Sequence, residues 1–301
     1  MSFRTAAVLC LLSCATACVS EDTAGEGNVS IVLGGGRAMR DGFPHTEGSE
    51  NHAFVDGWEM DFSKCVVSVG NIALTRPGSD DVEASWDNTA VVDLKRSGDA
   101  TRPLATLEAV SARRLNVGFS LLPPPASPGL VDADAEDVEE MRAKGYTVLL
   151  AGTASRGEET VPFRFGVAAA ARFEQCTNGE DGTLGLAVEA NKTSSVFLYM
   201  HVVHFFWDAL TESAALRFDA MAAVAGDDGA VSTEELAVQD LLGLEGADGG
   251  DLLDQNGLPV LYDDGGLLPP GQTSLLDYLR YAAAQSIHFN GLGVCESRWL
   301  E

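Results

Sequence analysis

Positive charge is scarce in this chain: 19 Lys plus Arg stand against 45 Asp plus Glu, a formal net charge of −26. So few cations cannot neutralise a phosphate backbone, which excludes nucleic acid as a partner. They also leave no basic patch for anionic lipid headgroups. Between Arg217 and Arg280 Lys and Arg are wholly absent, while 13 acidic residues fall from Asp219 to Asp277. Catalytic signatures are missing as well: there is no HExxH, no GxSxG, no CxxC and no Walker loop. Gly34-Gly35-Gly36-Arg37 lacks the Lys-Ser/Thr that a phosphate loop requires. No activated nucleophile stands out, so the expectation is a protein that is not an enzyme. Apolar residues are not scarce at 46%, which supplies a core and excludes a disordered acidic chain.

The N-terminus has the layout of a bacterial lipoprotein signal. Arg4 gives a short charged region, Ala6–Leu12 is apolar, and small residues lead to Cys18 through Ala15-Thr16-Ala17. The apolar stretch is too short to span a bilayer. Residues 1–17 are expected to be the signal and Cys18 the lipidated residue, with Cys14 as the alternative. Residues 18–28 then form a polar, flexible tether. This predicts an exported lipoprotein, outer-membrane or periplasm-facing, whose membrane partner is reached through its lipid. An oxidising compartment allows one disulfide among Cys65, Cys176 and Cys295. Cys65 sits in an apolar run and reads as buried. Cys176, in a turn, and Cys295, near the C-terminus, are the expected pair; other pairings remain open at this level.

From residue 29 to 203 short β-type runs alternate with Gly, Asn, Asp and Pro punctuation, which predicts a mostly β protein. The expected architecture is a β-sandwich, transthyretin- or immunoglobulin-like. The runs are Val29–Leu33, Val55–Phe62, Cys65–Leu74, Thr89–Leu94, Leu115–Leu122, Tyr146–Ala154, Thr160–Phe165, Leu184–Ala190 and Val196–Val203. Asp134–Lys144 reads as one inserted helix, with acids first and bases last. Residues 204–301 are expected to be an α-helical C-terminal extension, with helices over Glu212–Val224 and Ser274–Ile287 flanking an acidic loop.

Two constellations could hold metal. In His201-Val202-Val203-His204-Phe205-Phe206-Trp207-Asp208, spacings of three and four place His201, His204 and Asp208 on one side of a helical turn. His288, expected on the last turn of the final helix, is a possible fourth ligand. Imidazole and carboxylate suit copper, zinc or iron. The competing reading makes these histidines hydrogen-bonded members of an apolar core. Second, with Gly229 at the sixth position of an EF-hand frame, Asp228, Ser232 and Glu235 fall on ligand positions and Asp227 lies within reach. The first and third positions are Val224 and Gly226, which offer no carboxylate, so calcium is doubtful. Ser232-Thr233-Glu234-Glu235 also reads as a capping box. His45 and His52 lie in a polar loop and are solvated or chelating.

Several stretches together resemble a group of uncharacterised bacterial lipoproteins of myxobacterial type. They are Asp56-Gly57-Trp58-Glu59-Met60-Asp61-Phe62 with Val67-Ser68-Val69-Gly70, the His201–Asp208 segment, the EF-like loop, and His288-Phe289-Asn290-Gly291-Leu292-Gly293-Val294-Cys295. The resemblance spans nearly the whole mature chain and implies a helix-loop-helix shape around Gly229. In such relatives acids stand where this sequence has Val224 and Gly226. The β-part alone is faintly similar to periplasmic copper-binding proteins associated with methanobactin uptake. The leading expectation is a non-catalytic, lipid-anchored metal-binding protein of the envelope. The alternative is a surface module that binds protein or glycan partners, with structural histidines.

Overall fold

The computed structural model describes residues 24–47, 50–97, 101–211 and 214–300. The expected signal and the Cys18 lipidation site lie outside the described residues. The protein is mostly β, with 45% strand and 16% helix. Among the described residues no helix is long and apolar enough to cross a membrane.

Two mixed sheets carry the structure. The smaller runs in the order Ile287–Phe289, Thr193–Met200, Glu26–Gly35, Arg102–Ser111. Within it Glu26–Gly35 pairs in parallel with Thr193–Met200 and antiparallel with Arg102–Ser111. The strand begins at Glu26, so the last three residues of the expected tether belong to the sheet. Arg102–Ser111 was not expected to be a strand, because Pro103 interrupts it and much of it is exposed. It lies at the sheet edge, where a missing N–H costs no ladder bond.

The larger sheet is organised by Glu59–Thr75, which merges two expected strands into one. Its first half pairs with Val148–Arg156, and its second half with Val82–Asp93 and Arg114–Leu121. The register shifts at Phe62/Lys64 and Gly70/Ile72 mark bulges that let one long strand serve different neighbours. Met60 and Phe62 alternate inward, whereas Cys65 to Val69 is buried throughout, without alternation. The second face of that run is covered by the helix Ala135–Lys144, which closes a small core of Val66, Val91, Val138, Met141, Tyr146 and Leu149. Lys64 pairs with Asp134 and Asp137, and Arg164 with Asp137 and Glu140, tying helix to sheet.

Gly166 records how closely this outer layer fits. A Cβ placed there would lie 1.8 Å from Cδ2 of the buried Tyr146 ring. Gly166→Ala is expected to cost about 1–3 kcal/mol by overpacking. Denaturant unfolding checks this, and an unchanged midpoint would show that the ring yields freely.

Both sheets feed one main core: Val29, Ile31 and Leu33 from the smaller join Val67, Phe119, Leu150 and Phe165 from the larger. At one end of that core Phe43, Phe54, Phe62 and Phe218 surround Phe206, with ring centroids 5.6–6.5 Å from it.

The C-terminal third departs from the expected helical extension. The helix expected over Glu212–Val224 is a single turn, Asp219–Ala222. Its start is fixed from outside, since Asp56 accepts the N–H groups of Phe218 and Asp219 at 2.7 and 2.9 Å. Just before it, Leu216 forms β-bridges to Phe54 and Trp207. Only Leu275–Gln285 makes a longer helix here, with a capping box of Ser274 and Asp277. Between these helices, apart from the strand Val231–Ser232 and the single-turn helix Thr233–Leu236, the chain is a series of turns, several of them closed by an Asp side chain. Asp240 accepts from Leu242, Asp248 from Gly250, Asp254 from Asn256 and Leu258, Asp263 from Gly265 and Asp264 from Gly266. Much of the acidity of the Lys- and Arg-free stretch therefore serves its own backbone.

Candidate metal and ligand site

Met200 ends its strand and Val202–Phe206 follows as a 3-10 turn. Residues three apart eclipse in such a turn, and the His201 and His204 rings stack at 5.7 Å and 26°. His288 is not on the last helical turn as expected. The helix stops at Gln285, and His288 sits in the strand Ile287–Phe289, paired opposite Tyr199. That pairing carries its ring to within 4.7 Å of His201 and 5.3 Å of His204. The three imidazoles thus meet across sequence that no spacing rule links.

Asp208 does not join them. One oxygen accepts from Ala215 N–H at 2.8 Å and the other from Arg217 Nε at 2.8 Å. The antiparallel bridge of Trp207 with Leu216 brings that arginine alongside. Asp208, expected as a ligand beside His201 and His204, is an ion-pair partner of Arg217 instead.

The ring nitrogens differ in their partners. His201 Nε2 lies 2.8 Å from the Gly291 carbonyl, which can only accept, so Nε2 carries the proton and Nδ1 keeps its lone pair. His204 Nδ1 and both nitrogens of His288 are buried without a hydrogen-bond partner. His204 is only 7% exposed. Unpaired buried nitrogens are costly, and a bound ion or ligand is one way to satisfy them. As the side chains stand, no group of three or more His, Cys, Asp or Glu among the described residues is placed to hold a metal ion. The rings are close enough, and they must turn for their lone pairs to converge.

Burial keeps all three imidazoles neutral. It pushes His204 down to about 2, with the neighbouring His288 and His201 adding to the effect. Burial, then His201, lowers His288 to about 4, and burial lowers His201. In the metal-free protein the unfolded chain protonates first on acidification, from its ordinary value of 6.5 downward. This part of the stability is complete above that value and is lost as pH falls. For His204 alone the loss at pH 5 relative to pH 8 is about 2 kcal/mol, and His288 acts in the same direction. Urea unfolding at the two pH values measures it; equal stability would mean that His204 is not buried neutral.

The site opens into a cavity of about 1020 Å³. Phe173, Phe197, Tyr199 and Trp207 line it together with the three histidines and His52. Trp207 stacks on His204 at 3.8 Å. His52 pairs with His45 across a short hairpin, their rings stacked at 4.9 Å, so the two form an ordered pair. Gly291, at φ +87°, turns the chain so that its carbonyl reaches His201. Asn290-Gly291 is a turn signal in the sequence, but nothing there marks its partner. The turn is tied down by the expected Cys176–Cys295 disulfide, with S–S 2.08 Å, and by Thr177 N–H on Val294 O at 2.8 Å. Among the described residues Cys65 is the one free thiol, and it is buried.

The EF-like loop keeps its turn, and two of its expected ligands make hydrogen bonds to its own backbone. Gly229 has φ +74°, as the sixth position requires. Asp228 accepts from Ala230 N–H and Glu235 from Ser232 N–H at 2.6 Å, so the capping box occupies the residues a calcium ion would need. The flanking helices are four residues each, and Val231–Ser232 pairs with Phe163–Arg164 of the larger sheet. Asp227, Asp228, Ser232 and Glu235 form no cation cluster.

No protein-family model, no curated protein and no solved structure matches this chain.

Proposed function

We propose that this is an exported, lipid-anchored metal-binding protein of the cell envelope, acting without catalysis, with His201, His204 and His288 as its ligands. The observation that carries the reading is three imidazole rings 4.7–5.7 Å apart, that of His204 buried and those of His201 and His288 half-buried, with unpartnered nitrogens on His204 and His288, on the wall of a large cavity. Neutral imidazoles are in the form that copper, zinc or iron takes up. The disulfide fits an oxidising compartment outside the cytoplasm. In this reading the two sheets make a transthyretin- or immunoglobulin-like sandwich, supported by their shared core. The turn-rich C-terminal third then closes over the end that holds the site.

Untagged protein purified from its native host is expected to carry one equivalent of a transition metal. His201→Ala, His204→Ala and His288→Ala should each lower that content severely, while Asp208→Asn leaves it in place. Equal trace metal in the wild type and all three histidine variants would sink the reading. A second reading has one observation in its favour, that no three donor groups yet converge. On that reading the histidines are scaffold and the protein is a surface module whose cavity or loops meet a partner.

A further inference from the structure

The cavity is far larger than an ion needs. Its volume of about 1020 Å³ compares with about 30 Å³ for a water molecule in the liquid and roughly 300–1,000 Å³ for sites that hold small organic molecules. Among the described residues that line it none is Lys, Arg, Asp or Glu, in a chain of net charge −26. Charge has been kept out of this surface, and a neutral occupant is the one it fits. The walls are aromatic and stiff: Phe173, Phe197, Tyr199 and Trp207, the last laid flat on His204. The rim continues the apolar surface outward through Leu292 and Val294, which are 71% and 62% exposed. If the three imidazoles turned onto one ion, they would fill three of its four tetrahedral positions and leave one for a donor in this space.

We propose that the cavity receives a neutral, flat heteroaromatic molecule whose donor atom completes the coordination of a metal held by His201, His204 and His288. This rests on the metal reading above and specifies what sits beside the metal. The aromatic ring contributes apolar burial and stacking, and the donor atom fixes its orientation.

Cobalt(II) serves as the test metal, because its visible absorption changes when a fourth donor binds. The cobalt-loaded protein is titrated with imidazole and with 4-phenylimidazole, which add the same donor without and with an aromatic ring. The proposal expects 4-phenylimidazole to bind roughly tenfold or more tightly, from burial of the phenyl surface. Thr211→Trp and Ser297→Trp place bulk at cavity-lining positions that are exposed and outside the ligand set. Each should remove the phenyl preference while cobalt stoichiometry and imidazole affinity stay as in the wild type. Equal affinity for the two ligands, or a preference that survives both tryptophan variants, overturns the proposal while leaving the metal reading intact. Failure of the wild type to take up cobalt removes the metal reading, and this proposal with it.

Discussion

A variant in which Cys176 and Cys295 are both alanine is expected to unfold at markedly lower denaturant or temperature than the wild type. The bridge joins residues 119 apart, and loop-closure entropy assigns such a link about 4–5 kcal/mol. The loss should be felt at the site too. Residues 290–295 reach the body through this bridge, through Thr177 and Val294, through the mutual hydrogen bonds of Phe289 and Gly293, and through Asn290, whose N–H donates to Phe197 O at 2.7 Å. Their Gly291 carbonyl is what holds the His201 ring. On the metal-binding reading, affinity for the ion should therefore fall together with stability. Equilibrium unfolding of the double variant, with metal titration at a temperature where it stays folded, measures both. Stability equal to the wild type would mean that the unfolded chain gains no freedom from the cut.

Phe206→Ala is expected to cost about 3–5 kcal/mol. Phe206 is fully buried, and the rings of Phe43, Phe54, Phe62 and Phe218 surround it. Those residues come from distant parts of the chain, so the cavity left behind cannot collapse by a local adjustment. Phe206 also closes the 3-10 turn that presents His204, and its carbonyl accepts the N–H of Arg217 at 2.8 Å. Phe206→Leu, which keeps most of the volume, should cost under about 1.5 kcal/mol. A small effect of the alanine variant would show that the aromatic cluster is not the anchor of this end of the core.

The parts legible in the sequence were those governed by local spacing. His201 and His204 lie three apart on an apolar segment, and any tight turn puts them together. Val148, Leu149 and Leu150 carry no alternation and are fully buried. Cys65 was set apart by its apolar run, leaving the two cysteines that do pair. What stayed hidden depends on long-range partners. Asp208 looked like a ligand from its spacing, yet the Trp207–Leu216 bridge hands it Arg217. Glu212–Val224 has helical composition, but the bridges of Leu216 hold its centre extended and Asp56 defers the helix to Asp219. His288 reaches its two companions only through strand pairing with Tyr199. The acidic stretch suggested cations from charge alone; most of its Asp residues are turn formers, recognisable only when their hydrogen bonds are seen.

The parallel pairing of Glu26–Gly35 with Thr193–Met200 sets an order of events during folding. The first of the described strands has one neighbour early, Arg102–Ser111, and must wait for the other until residues 193–200 are made. His201 follows directly on that late strand, and His288 pairs against its far edge. The site is thus assembled last, after the chain is nearly complete. Such distant pairing places folding toward the slow, millisecond-to-second end of the range.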